Sequence, residues 1–563
     1  MRERIKQWLA IDNRANWCLF ALFTLFIFGK TLLFDHFAFR ELDLQSSFLG
    51  WTSKTLVKMA AALFFASFSF ILRDKRWLIL LSFLIDTWFI ANLIYMRNNH
   101  ILLDAEAFNM SSNLQGYFWS VLIYIEWGID LLFYGLTALF CLVYRYITKT
   151  TRSWRAWVIM MIVSVALRWT GESLYALDHK TKFDIWPFIR ERRESVYGMH
   201  FPTAVANTSV LYSPLYILSD YYLMINTILP DRPLTDADYQ VMTQLDHGQP
   251  TDTLQSPLII ILLESLENWV LTPQIMPNLY RLTQNDHVFY ANRIRTQIVG
   301  APSADGQMIV NTGLLPINAG GTCLYYGKNT YPAVMTLAPD STVCLLPHNI
   351  RVWNQTEMSP AYGYDTTICY NDIDTLLFQK LNQLVDDGVQ YIQCITQSTH
   401  APFLSEKYSH LPLPEDMPWV MYNFIRAFNA LDDGLGYFVR KLESDSVLQQ
   451  YTIVITADHN ILHYEKRCMM QHYADIHQME LQPMDNSLPL IIYSPQIQGN
   501  PHYTEDAYQM DIYPTYMSLL GVDEYHWKGL GKNLLDNNAK RLIQEKEAFV
   551  LSDKLIRNNY FSK

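Results

Sequence analysis

The chain has 563 residues, half of them hydrophobic and only 17% charged, with a formal net charge of −11. That length admits more than one domain, and an acidic balance with no offsetting basic block excludes nucleic acid as a partner. The apolar excess is concentrated in the first third of the chain.

Five apolar segments open the chain, at roughly 17–37, 56–72, 77–96, 120–145 and 156–170. Most approach the roughly 20 residues a membrane-spanning helix needs, and the fifth is the shortest. No small-residue cleavage site follows the first, so it reads as an anchor and not as a removed signal. Basic residues cluster in alternate loops: Arg2, Arg4, Lys6 and Arg14; then Arg73, Lys75 and Arg76; then Arg145, Lys149, Arg152 and Arg155. Positive charge stays on the cytoplasmic side, which puts the N-terminus inside. Five spans then carry everything after about residue 171 across a bacterial cytoplasmic (inner) membrane to its periplasmic, extracytoplasmic face. Asp86 falls within the third segment and Glu126 and Asp130 in the fourth. Such acids either serve a function, pair with Lys30, with Lys58 or with each other, or face the headgroups.

Residues 1–170 are expected to form this transmembrane domain, 171–250 a juxtamembrane connector, and 251–563 an extracytoplasmic catalytic domain. The connector holds a charged stretch, Arg190–Glu194, and aromatic stretches at 211–216 and 221–224. These either lie flat at the headgroup level or pack as a helix on the following domain.

From about 251 short apolar runs alternate with longer amphipathic ones. Strands are predicted at 257–263, 341–346, 390–396, 451–457 and 488–493, with helices at 374–386 and 418–443. The alternation implies an α/β domain on a mostly parallel sheet, whose sites gather at the carboxyl ends of the strands. Glu264, His400 and the Asp458-His459 pair each stand just past a predicted strand. A carboxylate closing a seven-residue apolar run needs a partner, and a metal is a common one. Together with Ser303, in the turn Gly300-Ala301-Pro302-Ser303-Ala304-Asp305-Gly306-Gln307, these make a mixed oxygen and imidazole ligand set: Glu264, Ser303, Asp458 and His459. Mn²⁺, Zn²⁺ and Mg²⁺ all accept such a set, which leaves the identity of one divalent metal ion open. A metal-bound hydroxyl loses its proton more readily, which suits phosphoryl or sulfuryl transfer. His463, His472 and His477 read as solvated or core residues, and Lys466 and Arg467 as surface charges. Seven cysteines show no metal-binding spacing; Cys323 and Cys344 are spaced so that a disulfide is allowed but not required.

The ordered set Leu263-Glu264-Ser265, Gly300-x-x-Ser303-x-Asp305, Trp353-Asn354, Gly363-Tyr364-Asp365, Ser398-Thr399-His400-Ala401-Pro402-Phe403, Ala457-Asp458-His459, 488–493 and Asp511-Ile512-Tyr513-Pro514-Thr515 resembles the lipoteichoic-acid-synthase-like branch of the alkaline phosphatase–sulfatase superfamily, whose relatives include phosphoethanolamine transferases. The resemblance covers roughly 255–535, and the five-span anchor fits it. It implies that Glu264, Ser303, Asp458 and His459 hold one metal, that Ser303 attacks a phosphodiester and carries a phospho-head-group, that His400 binds phosphate or assists the leaving group, and that Trp353 and Asn354 line the head-group pocket.

Two departures stand out. These transferases usually have Thr at the position of Ser303, and either hydroxyl can serve. Lipoteichoic acid synthases have Arg after Trp-Asn where this chain has Gln355, which removes a cationic phosphate clamp; Gln355 is still expected to contact substrate, with His348 or Arg351 standing in for the lost charge. The sulfatase maturation pattern is absent after Ser303, so a formylglycine sulfatase is not expected. The expectation is therefore a phosphotransferase moving phosphoglycerol or phosphoethanolamine from a membrane phospholipid to a glycan or lipid acceptor. A phosphodiesterase or sulfatase-like hydrolase using the same site remains the alternative.

Overall fold

The structure is a computed structural model that describes residues 14–38, 47–99 apart from 73 and 75, 102–103, 107–108, 124–144, 152–178, 209–215, 217–218, 221, and 232–562 apart from 249–251, 318–320, 371–372, 402, 463 and 523–525. Arg190–Glu194 and the stretch 222–224 lie outside these residues. The chain divides into two compact units, with the long boundary between residues 225 and 226.

The first unit is helical. α1 (Arg14–Ala38), α2 (Phe48–Ser67), α3 (Arg76–Asn99), α4 (Trp127–Tyr144) and α5 (Trp154–Asp178) stand where the five apolar segments were predicted. Three of them, α1, α3 and α5, are long and apolar enough to cross a membrane. α5 corrects its expected weakness, because the helix runs on to Asp178 and reaches 25 residues. α4 is apolar but shorter. α2 is 20 residues long and carries Lys54, Lys58, Thr52, Ser53 and Thr55, which lower its hydropathy. Gly171 lets α2 and α5 cross closely: a Cβ there would lie 2.8 Å from a methyl of Val57.

The buried charges of this unit are paired. Lys30 Nζ donates to Asp86 Oδ1 at 2.5 Å, to Thr137 Oγ1 at 2.5 Å and to Ser82 Oγ at 3.1 Å, and Thr137 donates to Asp86 Oδ2 at 2.6 Å. Lys58 instead pairs with Asp35, and Arg97 holds Asp130 through both terminal nitrogens. The 3₁₀ turn Val210–Tyr212, in the connector, packs on the helical unit. It is buried against the helices of this unit, with Trp88 Nε1 donating to Ser213 Oγ at 2.8 Å and the Arg168 guanidinium 4.3 Å above the Tyr212 ring.

The second unit is an α/β domain. Its sheet runs β4-β3-β5-β1-β6-β7-β2-β8, from β1 (Leu258–Leu263), β2 (Val288–Arg295), β3 (Thr342–Leu346), β4 (Thr366–Cys369), β5 (Tyr391–Ile395), β6 (Thr452–Ala457), β7 (Leu488–Tyr493) and β8 (His502–Tyr503), with β9 (Ala507–Tyr508) on β2. β4, β3, β5, β1 and β6 are mutually parallel, and β7 is antiparallel to both β6 and β2. The five predicted strands are present. β2 escaped prediction because Asn292, Arg293 and Arg295 interrupt its apolar pattern, and β4 because its four residues are half exposed. Every residue of β1, β5, β6 and β7 is buried, as expected for strands covered on both faces. The 26-residue helix α6 (Trp419–Ser444) buries one long apolar stripe, from Val420 to Leu442.

Candidate active site

Parallel pairing in register assembles the site. β1 lies between β5 and β6, and Leu263 pairs with Ala457. The next residues, Glu264 and Asp458, therefore emerge side by side at the carboxyl edge of the sheet. A ligand atom from each of Glu264, Asp458 and His459 lies within 4.8 Å of the other two, and all three residues are buried.

Ser303 reaches this group from the first turn of the helix Pro302–Thr312. The helix begins with proline, whose missing N–H costs nothing there, and ends on Gly313 at φ 66°, the left-handed position that favours glycine. Ser303 Oγ is 3.4 Å from Glu264 Oε2 and 3.3 Å from His459 Nε2. Asp305 shapes the turn before it: one oxygen, Oδ2, accepts the backbone N–H of Val299, Gly300 and Ala301 at 2.9, 3.0 and 3.1 Å. Burial pushes this carboxyl up to about 6 against those three donors. Gly306 lets the helix lie directly on the Asp458 backbone, since a Cβ there would stand 2.1 Å from the Asp458 carbonyl oxygen. Gln509 Nε2 donates to that same carbonyl at 2.7 Å, while its Oε1 accepts from Gln297 N.

The donor set fits a divalent cation. Asp458 Oδ1 accepts the N–H of Ser265 and of His459, but Oδ2 is buried with no hydrogen-bond partner. Burial, then the neighbouring Glu264 carboxylate, pushes the Asp458 carboxyl up to about 7. A cation relieves both the orphaned oxygen and the repulsion between two buried acids. His459 Nδ1 lies 2.8 Å from the Asn460 carbonyl. A carbonyl only accepts, so Nδ1 carries a proton and Nε2 is the nitrogen turned toward Ser303 and the carboxylates.

His400 ends a segment held on two sides. Thr399 Oγ1 donates to the Glu264 carbonyl at 2.6 Å, and the buried Asp374 carboxylate accepts the N–H of Ser398 at 2.8 Å and of Gln397 at 3.1 Å. His400 Nδ1 faces the Ala401 carbonyl at 2.7 Å, which leaves Nε2 unprotonated, and burial holds the ring below its usual pKa. The fields of His459 and Asp458 reach His400, and that of His400 reaches His348. Burial pushes His348 down to about 4, so it is neutral at physiological pH.

Trp353 and Asn354 lie in a strained turn, with φ of 53° and 51°. Asn354 Nδ2 is tied to the Cys323 carbonyl at 2.9 Å, and Trp353 is partly buried against the core. Gln355 is corrected as a substrate contact. It is buried, its Nε2 donates to Gln307 Oε1 at 2.6 Å, and its Oε1 accepts from Ser359 Oγ at 2.8 Å. That bond begins an amide chain through Gln307, Gln393 and Asn311. Arg351 is exposed on its loop. Arg467, expected at the surface, is instead 4% exposed and paired with Glu267. The spacing that allowed a Cys323–Cys344 disulfide is not used: neither cysteine is in a disulfide, and both are buried.

Residues 308–522 match the sulfatase family, and residues 1–184 match the lipoteichoic acid synthase N-terminal domain. Lipoteichoic acid synthase 2 of Bacillus subtilis is 23% identical over 326 residues, covering 53% of this chain and 50% of that protein. Lipoteichoic acid synthase of Staphylococcus saprophyticus is 22% identical over 311 residues, covering 50% of this chain and 48% of that protein. The chain thus spans about half the length of these curated relatives. Among solved structures, the integral membrane lipooligosaccharide phosphoethanolamine transferase A of Neisseria meningitidis shares the fold at a TM-score of 0.53 and 12% identity, covering 89% of this chain and 95% of that one.

Proposed function

We propose that this chain, in which a sulfatase domain follows a lipoteichoic acid synthase N-terminal domain, is a membrane-anchored, metal-dependent phosphotransferase. It takes a phosphoglycerol or phosphoethanolamine head group from a membrane phospholipid and passes it to a glycan or lipid acceptor outside the cytoplasm. The observation that carries this reading is the convergence of Ser303 Oγ on buried Glu264, Asp458 and His459, with an orphaned oxygen on Asp458.

Glu264, Asp458, His459 and Ser303 would hold the divalent ion, which supplies charge neutralisation and a lower pKa for the bound hydroxyl. Ser303 Oγ gives up its proton and forms a bond to phosphorus as the bond to the diacylglycerol oxygen breaks and that oxygen takes up a proton, leaving the head group as a phosphodiester on Ser303. The amino end of the Pro302–Thr312 helix carries Ser303 and has no side-chain cap, so it would favour the anionic phosphate. In the second half, an acceptor hydroxyl displaces Ser303 from phosphorus. The unprotonated Nε2 of His400 is suited to take that hydroxyl's proton. With Gln355 withdrawn into the core, Trp353, Asn354, His348 and Arg351 would line the head-group pocket. Tethering the site to the bilayer that holds its donor raises the donor's effective concentration.

Intact-peptide mass spectrometry of full-length protein, beside Ser303→Ala, tests this. The expected result is a phosphoglycerol or phosphoethanolamine mass on the peptide containing Ser303 after incubation with the matching phospholipid and Mn²⁺ or Zn²⁺, absent in Ser303→Ala. An unmodified Ser303, with head group released only to water, would replace the transferase with a hydrolase.

A further inference from the structure

Two segments carry the candidate ligands: the one leaving β1 after Glu264 and the one leaving β6 after Asp458 and His459. Register fixes where they start, but nothing in a sheet fixes how they continue. One buried ion pair joins them. Glu267, three residues past Glu264, is fully buried, and Arg467, eight residues past His459, is 4% exposed. Arg467 Nη2 donates to Glu267 Oε1 at 2.5 Å and Nη1 to Oε2 at 2.7 Å, a bidentate fork.

The remaining capacity of both groups goes to these two segments and to the one that leads into β7. Glu267 Oε1 accepts the N–H of Ile461 at 3.2 Å and of Leu462 at 3.4 Å, from the stretch just after His459. Glu267 Oε2 accepts from Trp269 Nε1 at 2.8 Å. Arg467 Nε donates to the Leu462 carbonyl at 2.9 Å, and Nη1 to the Pro483 carbonyl at 2.8 Å, in the segment that leads into β7. One carboxylate and one guanidinium thus bind the segments after β1 and β6 and before β7 to one another. Taking two charges out of water carries a desolvation cost. A stability role alone does not call for charge here, since apolar side chains of equal volume often do as well. Directional hydrogen bonds to backbone groups do call for it, because they fix where a loop lies.

We propose that Glu267 and Arg467 are positioning residues for the metal centre: they hold the Glu264 and Asp458-His459 segments at the separation a divalent ion requires, and so set metal affinity. This rests on the metal-centre reading of the site. Groups that orient metal ligands from behind typically govern affinity by about 10–100-fold when removed.

The test uses the full-length chain in detergent, with Mn²⁺ alone as the probe and binding read by calorimetry. Glu267→Leu/Arg467→Met removes both charges together, so no lone charge stays buried. The expected result is a Kd for Mn²⁺ raised about 10–100-fold with the metal-free melting temperature kept. Arg467→Lys retains a buried cation without the fork and should give a smaller rise. Unchanged Mn²⁺ affinity in a folded double variant overturns the proposal. Should the double variant not fold, unchanged affinity in Arg467→Lys overturns it equally. Absence of Mn²⁺ and Zn²⁺ binding by the unaltered protein would instead overturn the metal-centre reading, and this inference with it.

Discussion

Gly306 is the sharpest single test of how the site is built. An ideal Cβ at this position stands 2.1 Å from the Asp458 carbonyl oxygen, 2.7 Å from its carbon and 2.9 Å from its Cα. Ordinary contact begins near 3.4 Å, so Gly306→Ala must part the Pro302–Thr312 helix from the Asp458 backbone by about 1.3 Å. The opposing atoms are backbone, and Gln509 braces that carbonyl from another side, so no side chain can swing away to make room. Overpacking of this kind costs roughly 1–3 kcal/mol of stability. The functional cost is of similar size, about 2.7 kcal/mol. Ser303, on the same helix turn, sits 3.3 Å from His459 Nε2 and 3.4 Å from Glu264 Oε2, and a displacement on the order of 1 Å at a reacting atom costs roughly 100-fold in rate. Head-group transfer kinetics together with Mn²⁺ calorimetry should show kcat down by about that factor and weaker metal binding, while the protein remains folded. Gly306→Ala protein with unaltered kcat and Mn²⁺ affinity would refute the geometry argued for Ser303 and Asp458.

Three further outcomes are expected. His348 has its pKa depressed from 6.5 to about 4 by burial, so the unfolded chain binds the extra proton first. The stability this gives is fully present above pH 6.5 and is lost as pH falls through about 4, amounting to about 3 kcal/mol; His348→Leu should flatten the melting temperature of the second unit across that window. Lys30→Met leaves Asp86 buried without its cation and should destabilise the helical unit by roughly 3–5 kcal/mol, whereas Lys30→Met/Asp86→Leu should recover most of it, read by thermal unfolding in detergent. Mn²⁺ at about 100 times its Kd should stabilise the second unit by about 2.7 kcal/mol; chelator should reverse this, and Asp458→Ala should abolish it.

The α/β alternation and the apolar strands β1, β3, β5, β6 and β7 were legible in sequence because burial on both faces leaves nearly unbroken apolar runs. Glu264 and Asp458-His459 were legible for a related reason: a charge that closes such a run marks a strand's end. Ser303 came from a turn pattern read together with those ends. β2 was hidden because its exposed side chains are polar and its partner strands are distant in sequence. Gln355 was misplaced because sequence gives the residue at a position and not the direction of its side chain, and here a buried amide chain draws it inward. Arg467 misled in the opposite sense, since a charged residue on a helix such as Tyr464–Ile476 normally faces water.

By itself the sequence determined which residues could be ligands, nucleophile and strands, because those depend on chemical type and local periodicity. The tertiary structure decided what stands next to what. The Leu263–Ala457 pairing sets two acids side by side, Gly306 lets a helix carry Ser303 onto them, and Glu267 with Arg467 joins segments some 200 residues apart. These depend on register and on contacts between distant parts of the chain, and local sequence encodes neither.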